Sequence, residues 1–394
     1  MNCVRTLHVV FSVDNRVGGA LHAALGVCKF LTIAGHRAEV AAVAGDGDEI
    51  DYLSVAYPEI RVHLFAKSFP ARYSNSNAFA DWFRAHHADY DLVEIHSLFT
   101  CLAWRAVRVC RQIGKPYLIR PHGSLDPFDL RKHASLKRIL GPLLFRSMLA
   151  RSSGVLLTTE LEAERLVTYG AICRRIVHAL PVVLPELSRD RRGFRDRHGI
   201  PHDARVILFM SRIDYKKGLE FLIPAIGELQ QEFSDLWFVL AGAGERSFTQ
   251  YIEQLILRCG LGEKTRRIGF ISGQEKADAL AAADVFALPS RNENFGIVLI
   301  EAMNAGVPLL ISDEVYIHRE VSDAGAGVVC QPTLAYVKSS LRRLLAGEVD
   351  LGLMGERGRL LVQERYLPDR ATKSLIETYR SILEGRDSAT VHQA

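Results

Sequence analysis

Short apolar runs along the chain alternate with longer segments in which apolar residues recur every three or four positions. The short runs predict buried strands, and the longer periodic segments predict amphipathic helices. The predicted strands are 6–13, 38–43, 61–65, 91–95, 116–120, 154–158, 175–180, 205–210, 236–241, 267–270, 284–288, 307–311 and 327–329. The predicted helices are 20–32, 76–87, 98–113, 133–151, 160–169, 219–233, 275–283, 295–303, 334–346, 353–364 and 369–384. Strands that alternate with helices indicate the α/β class, with parallel sheets covered on both faces.

An interruption of this pattern near the middle of the chain predicts two domains. With 394 residues, the chain is longer than one ordinary domain. Prolines and a dense run of charges separate the two series of strands and helices. We therefore predict a β/α domain over residues 1–185, a linker over 186–203 and a second β/α domain over 204–368.

Composition excludes several classes of protein. With 48% hydrophobic and 24% charged residues, the chain is neither disordered nor fibrous. Its seven cysteines form no CxxC pair, which predicts a reducing compartment and no zinc ribbon. The apolar run from Leu7 to Val13 is shorter than a signal core or a membrane span. We expect a cytoplasmic protein.

Charge is distributed unevenly between the two halves. Residues 1–200 contain 27 Lys and Arg against 19 Asp and Glu, and the remainder contains 22 against 26. The basic half is expected to face an anionic surface or substrate. Its basic apolar segment, 131–151, fits a helix on an anionic membrane and equally a core-packing helix with a solvated basic face. Gly141 and Pro142 are expected to kink or split this helix.

The segment 288–310, LPSRNENFGIVLIEAMNAGVPLL, joins a buried strand to an amphipathic helix through a polar loop. Gly296 at the helix entrance leaves backbone N–H groups that suit a phosphate. Glu293 lies in the loop and Glu301 two turns inside the helix, where carboxylates could accept hydrogen bonds from paired sugar hydroxyls. On spacing alone, a helix-dipole partner and a solvated glutamate explain the pair equally well.

A second charged loop follows the strand 205–210. Arg212 can form a fork of hydrogen bonds and Lys217 a point contact, which suits an anionic ligand. An ordinary solvated loop remains the alternative when this segment is taken alone.

Polar residues also follow strands of the first domain, where ligands of parallel sheets bind. Gly18 and Gly19 would let a ligand approach the backbone, or form a plain tight turn. His96 and His122 each follow a predicted strand. His122, beside Gly123, could hydrogen-bond a substrate hydroxyl or be satisfied by neighbouring backbone.

Taken together, these segments resemble the retaining family 4 glycosyltransferases. The motifs that carry the resemblance are SRIDYKKG at 211–218, LAGAG at 240–244 and ADVFALPSRNENFGIVLIEAMNAGVP at 283–308. The last contains a pair of glutamates separated by seven residues, as in the family. The resemblance spans nearly the whole chain and implies the GT-B fold, two Rossmann-like parallel-sheet domains facing each other across a cleft. It also implies that the C-terminal helix, about 369–384, packs back on the first, acceptor-side domain.

The resemblance implies roles for the charged candidates. Arg212 and Lys217 would bind the donor diphosphate and neutralise the leaving group. Glu301 would hold the ribose hydroxyls, and Glu293 would contact hydroxyls of the transferred sugar. Charge stabilisation of the departing diphosphate would then be the largest contribution of the protein.

The resemblance assigns the remaining candidates to places around the donor. His122 would lie near the reacting sugar. The backbone is implied to contact the donor at Asn294, Phe295 and Gly296, beside the nucleobase at Ile271, and beside the phosphates at Gly18 and Gly19.

The implied function is transfer of a hexose from a UDP- or GDP-linked sugar to a glycan or lipid-linked acceptor, in surface polysaccharide or glycoconjugate synthesis. Transfer would retain the anomeric configuration and require no metal or other cofactor. Segment 131–151 would place the protein peripherally on the inner face of the cell membrane, and no nucleic-acid partner is expected. Two alternatives are a GT-B type nucleotide-sugar epimerase and a catalytically inactive nucleotide-sugar-binding partner.

The sequence departs from the family pattern in three places. Ser211 precedes Arg212 where glycine is common, and Lys216 could substitute for Lys217. The first domain lacks the KxGGL pattern of glycogen and starch synthases, which disfavours a polymer-elongating glucan synthase.

Overall fold

The computed structural model of the chain describes residues 3–14, 19–45, 47–48, 50–70, 73–131, 134–188 and 190–385. The described chain forms two compact units. One unit consists of the chain up to Val183 together with the chain from Tyr366 onward, and the other consists of Leu184–Arg365. Each unit is built around one parallel sheet, so the predicted α/β architecture is confirmed.

A seven-stranded parallel sheet forms the centre of the first unit. Its strands are β1 (Arg5–Val10), β2 (Arg37–Ala44), β3 (Val62–Ala66), β4 (Leu92–His96), β5 (Tyr117–Arg120), β6 (Gly154–Leu157) and β7 (Arg175–Val177). Their order within the described residues is β3-β2-β1-β4-β5-β6-β7. All residues of β4 are buried, which is typical of a strand covered on both faces. The order reverses between β1 and β4, and we call such a place a switch point.

The helices of the first unit cover this sheet. They are α1 (Gly19–Ile33), α2 (Tyr52–Ala56), α3 (Asn77–His86), α4 (Cys101–Ile113), α5 (Pro127–Leu130), α6 (Ala134–Leu140), α7 (Arg146–Ala150) and α8 (Glu160–Arg165). Local sequence sets the ends of α4. The side chain of Thr100 caps the first turn, and Gly114 adopts the left-handed conformation that terminates the helix.

The predicted helix 133–151 is split, as its glycine and proline indicated. A π-helical turn, Gly141–Phe145, separates α6 from α7. Pro142 lacks the N–H that a continuous helix needs, and a Cβ at Gly141 would overlap the ring of Tyr169. The break turns Phe145 and Met148 into the core while other residues of the segment stay exposed.

A six-stranded parallel sheet forms the centre of the second unit. Its strands are β8 (Arg205–Met210), β9 (Leu236–Ala241), β10 (Thr265–Gly269), β11 (Val285–Leu288), β12 (Leu309–Ser312) and β13 (Gly327–Cys330), and their order within the described residues is β10-β9-β8-β11-β12-β13. The helices are α9 (Arg191–Arg197), α10 (Leu219–Leu229), α11 (Arg246–Arg258), α12 (Gly273–Ala282), α13 (Ile297–Ala305), α14 (His318–Ala324), α15 (Leu334–Leu345) and α16 (Leu351–Leu361). The switch point of this sheet lies between β8 and β11.

Residues 186–203, the predicted linker, contain α9, which packs on α12 in the second unit. Arg195 holds it there. Its buried guanidinium donates to backbone carbonyls at His202 and Ala204, each at 2.8 Å, and to Asp284 at 3.0 Å. The run of charges was interpreted as part of a linker, but one of its arginines satisfies buried carbonyls.

The last described helix, α17 (Pro368–Leu383), belongs to the first unit and packs on α1. Pro368 occupies its first turn, where the missing N–H needs no partner. Tyr379 lies on its buried face and donates a hydrogen bond to Glu94 of β4.

Several helices were missed in the sequence. The longest, α11, buries Ile252 and Ile256, which are one helical turn apart. The others are α2, α5, α9 and α14.

Candidate functional site

The loops after β8 and β11, residues 211–218 and 289–296, lie side by side at the switch point of the second unit, and we call them the paired loops. The backbone N–H of Arg291 donates to the carbonyl of Lys216 at 2.7 Å. Gly218 has a φ of +71°, and a Cβ at this position would overlap the carbonyl oxygen of Pro289. The glycine that ends SRIDYKKG therefore permits the close approach of the two loops.

Lys217 forms the ion pair that joins the paired loops. Its Nζ donates to Oε2 of Glu293, and the two side chains are 8% and 17% exposed. A turn of 3-10 helix, Tyr215–Lys217, places the lysine because Asp214 accepts a hydrogen bond from the backbone N–H at 217. Lys216 is half-buried on the same turn, so the structure brings Lys217, and not its neighbour, to the glutamate.

Backbone hydrogen bonds fix the position of Glu293. Its N–H donates to the carbonyl of Glu314 at 3.0 Å, and its carbonyl accepts from the N–H of Tyr316 at 2.9 Å. This short parallel bridge holds the loop before α13 in place. The carboxylate is therefore positioned by the backbone as well as by its lysine.

Arg212 lies at the start of the first paired loop with its side chain exposed. Within the part of the chain that the structure describes, its guanidinium has no hydrogen-bond or ion-pair partner. An exposed guanidinium close to a buried lysine in sequence keeps its donors available for an anion.

The two glycines of LAGAG, Gly242 and Gly244, lie where the backbone leaves no space for a side chain. A Cβ at Gly242 would overlap the carbonyl oxygen of Ser211, and a Cβ at Gly244 would overlap that of Ile213. The loop after β9 therefore runs directly against the first paired loop. The two motifs are one packed structure.

Glu301 has a different partner from Glu293. It lies inside α13, and its Oε1 accepts a hydrogen bond from Nζ of Lys276 on α12 at 2.6 Å. Burial raises the pKa of Glu301, and the charge of Lys276 opposes this shift. Its other oxygen, Oε2, has no hydrogen-bond partner among the described residues. One side of the carboxylate is thus held by protein, and the other is available to a ligand.

The remaining candidates of the second unit border these elements. Gly296 caps α13 with a φ of +66°, Phe295 is buried, and Asn294 is half-buried. Ile271 is half-buried between β10 and α12, the helix that carries Lys276. The entrance of α13 therefore combines a left-handed glycine with a helix N-terminus, an arrangement that suits an anion.

In the first unit, three imidazoles form a hydrogen-bonded row, which we call the histidine chain: His8 of β1, His96 of β4 and His122 after β5. Nδ1 of His8 lies 3.0 Å from Nε2 of His96, and Nδ1 of His96 lies 2.9 Å from Nε2 of His122. At the other end, Nε2 of His8 lies 3.1 Å from the hydroxyl of Thr6. The sequence alternative in which backbone satisfies His122 is therefore replaced by a side-chain partner.

Glu94 lies against the middle of the histidine chain. Its Oε1 accepts a hydrogen bond from Nε of Arg120 at 2.6 Å and lies 3.3 Å from Nε2 of His96. Its Oε2 accepts the hydrogen bond from Tyr379. Burial works against ionisation of Glu94, but the charge and hydrogen bond of Arg120 hold its pKa below the ordinary range. The cluster thus contains a buried carboxylate that stays charged.

His8, Glu94 and His96 each offer one metal-ligand atom, and these atoms lie within 4.8 Å of one another. The same atoms already form hydrogen bonds, and the guanidinium of Arg120 pairs with the carboxylate. A metal cation would lie beside this arginine, so the arrangement favours a hydrogen-bonded cluster.

Of the two predicted phosphate-loop glycines, Gly19 begins α1, and Gly18 lies outside the described residues. Sequence inspection missed Lys276, Glu94 and Tyr379 as members of these sites. The available signal was a polar residue inside an apolar run, as with Glu94 in the strand 91–95.

The described residues of segment 131–151 are partly buried in the core and partly exposed. Phe145, Met148 and Leu149 pack in the core, while Ile139 and Leu143 are 62% and 75% exposed. Among the described helices, none is long and apolar enough to cross a membrane.

Comparison with known proteins places these features in a family. The family described as Glycosyltransferase Family 4 matches residues 17–181, and that described as Glycosyl transferases group 1 matches residues 190–359. The second match includes both paired loops. The two matches therefore cover most of each unit.

Individual proteins give the same result. The chain is 26% identical over 284 residues to alpha-D-kanosaminyltransferase of Streptomyces kanamyceticus, covering 69% of this chain and 72% of the relative. It is 30% identical over 283 residues to a D-inositol 3-phosphate glycosyltransferase of Xylanimonas cellulosilytica, covering 67% and 64%. The structure of Anabaena HepE in complex with UDP and glucose matches with a TM-score of 0.78 at 18% identity, covering 96% of this chain and 100% of HepE, which shows a shared fold. The chain belongs to the family 4 glycosyltransferases, of the GT-B fold.

Proposed function

We propose that this glycosyltransferase transfers a hexose from a UDP- or GDP-linked donor to a glycan or lipid-linked acceptor, with retention of configuration and without a metal ion. The observation that carries the proposal is the joining of the paired loops by Lys217 and Glu293 at the switch point of the second unit. Ligands of open parallel sheets bind at such places. The matched HepE structure contains UDP and glucose, which supports a nucleotide-sugar donor.

The cations of the first paired loop suit the leaving group of this reaction. When the bond to the sugar breaks, negative charge develops on the diphosphate. Arg212 would bind it through a fork of N–H donors and Lys217 through a point charge, each charge-assisted hydrogen bond contributing about 1.5–3 kcal/mol. Lys217 is held in place before the donor arrives, so little reorganisation accompanies the reaction. These two side chains would supply the positive charge that neutralises the departing diphosphate.

The glutamates would divide the rest of the donor. Glu301 has one oxygen held by Lys276 and a second oxygen available, which suits the paired hydroxyls of a ribose. Glu293 would contact hydroxyls of the transferred sugar, with the backbone of Asn294, Phe295 and Gly296 and the position of Ile271 completing the donor site. His122, Gly18 and Gly19 keep the roles that the family resemblance implies, beside the reacting sugar and the phosphates.

The donor part of the proposal can be tested with purified protein and a panel of nucleotide sugars. A ligand that binds only the folded state raises the melting temperature. At a ligand concentration a hundred times the Kd, it adds about 2.7 kcal/mol to the unfolding free energy. We expect one UDP- or GDP-sugar to stabilise the protein and to serve as donor for transfer. Formation of an isomerised nucleotide sugar without any acceptor would contradict transfer in favour of epimerisation.

The adjacent lysines provide a matched pair of variants. Lys217→Ala removes the buried cation, so the Kd for the donor should rise at least about tenfold, the equivalent of 1.4 kcal/mol. Lys216→Ala removes the same charge from the next position and should leave this Kd nearly unchanged. Equal effects of the two variants would refute the assignment, and melting temperatures without ligand check that both variants fold.

The exposed apolar surface of segment 131–151 supports a lipid-linked acceptor at an anionic membrane. Ile139 and Leu143 are exposed on the same segment as the exposed arginines Arg138 and Arg146. Apolar side chains can enter the interface while arginines contact anionic headgroups, at about 1 kcal/mol for each basic residue. The protein would then work peripherally on the inner face of the cell membrane.

Vesicle sedimentation tests the membrane part separately. Binding should require anionic lipid, weaken with salt, and fall in the double variant Ile139→Ser with Leu143→Ser. The control is Leu257→Ser, which removes a comparably exposed leucine from α11 in the other unit. Equal binding to neutral and anionic vesicles, or an equal loss in the control, would contradict the proposal.

A further inference from the structure

The hydrogen bonds of the histidine chain can run in two directions, either with His122 donating to His96 and His96 to His8, or with each of these bonds reversed. A neutral imidazole has one N–H and one lone pair, so each link needs one nitrogen of each kind. Burial lowers the pKa of His8 to about 4 and that of His122 to about 3, and it lowers that of His96 well below its ordinary value. All three rings are therefore neutral near pH 7, and fixing one proton fixes the others.

Glu94 distinguishes the two directions. Its Oε1 lies 3.3 Å from Nε2 of His96, and both side chains are fully buried. A proton on this nitrogen faces a carboxylate, whereas a lone pair there would face the same negative charge in surroundings of low dielectric. Two hydrogen bonds, from Arg120 and Tyr379, hold the carboxylate at this place.

The proton positions follow link by link. With a proton on Nε2, His96 presents a lone pair on Nδ1, and this lone pair must accept from Nε2–H of His122. On the other side, Nδ1 of His8 accepts and its Nε2–H donates to the hydroxyl of Thr6. His122, the last ring of the chain, then carries no proton on Nδ1.

We infer that Glu94 is a positioning residue that sets the direction of the histidine chain, so that His122 presents Nδ1 as a hydrogen-bond acceptor to a ligand hydroxyl. That the ligand is a sugar rests on the proposed function. The proton assignment rests on the geometry alone.

The loop around His122 makes this orientation specific. The residue has a φ of +51° and Gly123 one of +75°, and the N–H of Gly123 donates to Glu162 at 2.7 Å. The ring also stacks on His96, with centroids 5.2 Å apart and planes 20° from parallel. Backbone and ring are both fixed, so the acceptor has one direction. A ligand group that can donate a hydrogen bond is favoured there over a methylated or deoxy group.

Nitrogen NMR of protein labelled with 15N-histidine measures the proton positions directly, because protonated and unprotonated ring nitrogens have well-separated shifts. Signals of His122 are identified by their loss in His122→Asn. At neutral pH we expect Nε2 of this ring to be protonated and Nδ1 unprotonated. The opposite tautomer in the folded, unmodified protein would overturn the inference. This measurement needs no donor, acceptor or activity, so it can fail or succeed independently of the proposed function.

Two variants then test the cause. Glu94→Gln keeps the shape but removes the negative charge, and we expect a second tautomer of His122 to become detectable. Tyr379→Phe removes one hydrogen bond to Glu94 but keeps its charge, so the single Nε2–H tautomer should persist. An unchanged tautomer in folded Glu94→Gln, or the same change in both variants, would refute the role of the charge. If Glu94→Gln does not fold, the opposite tautomer in the unmodified protein would still overturn the inference.

Discussion

Replacing Tyr379 by phenylalanine tests how α17 is attached to the first unit. The hydroxyl donates to Oε2 of Glu94, 285 residues away in sequence, and both side chains are fully buried. Among the described residues, this oxygen has no other hydrogen-bond donor. Phenylalanine fills the same space but leaves one oxygen of a buried carboxylate without its bond. For a hydrogen bond to a charged group, the expected loss is about 1.5–3 kcal/mol of unfolding free energy, or roughly 10- to 150-fold in the folding equilibrium.

Tyr117→Phe is the matched control, because this buried hydroxyl donates to the neutral carbonyl of Met148 at 2.8 Å. We expect a smaller loss for it, about 0.5–1.5 kcal/mol. Hydrogen exchange followed by mass spectrometry measures the protection of backbone amides in each unit separately. Tyr379→Phe should increase exchange in β4 and α17 and leave β8 unchanged. A loss of unfolding free energy no larger than that of Tyr117→Phe would refute the argument. An increase of exchange in β8 equal to that in β4 and α17 would refute it as well.

Two further predictions concern the loss of stability at low pH and the replacement of Gly218 by alanine. Burial lowers the pKa of His8 and His178 from 6.5 to about 4, so stability present above pH 6.5 is lost as the pH falls toward 4. At about pH 5 we expect unfolding free energy to fall by about 2 kcal/mol per histidine, and an unchanged pH slope of the urea midpoint in His178→Gln would contradict this cause. Gly218→Ala should destabilise the second unit more than Gly260→Ala, although both glycines have a φ of +71°, because only the first Cβ meets a carbonyl oxygen, that of Pro289. The control should lose about 1–2 kcal/mol, and equal urea midpoints for the two variants would be evidence against the close approach of the paired loops.

The position of the candidate residues along the elements was readable from the sequence. Arg212, Lys217 and Glu293 follow predicted strands, and Glu301 lies inside a predicted helix, as the structure places them. Turn residues and apolar periodicity determine such local features, because they depend on neighbours in the chain. The partner of Glu301 was not readable, because Lys276 lies on another helix 25 residues earlier.

The charged composition of the predicted linker did not indicate that one of its arginines is buried. The charged run within 186–203 predicted a linker, yet Arg195 of this run is fully buried and donates to carbonyls just before β8 and β11. A charged side chain is buried when backbone acceptors happen to converge on it. That convergence depends on how distant segments pack.

By itself, the sequence determined the α/β class, the succession of strands and helices, and the motifs that identify the family. These depend on the period of apolar residues and on residue types that local geometry requires. Only the tertiary structure decided which lysine meets Glu293, that Glu301 shares its carboxylate with Lys276, and that Glu94 lies against the histidine chain. Strand order sets these contacts, and it brings together residues separated by up to 285 positions. The energy of such buried polar groups comes from their distant partners, so no local pattern encodes it.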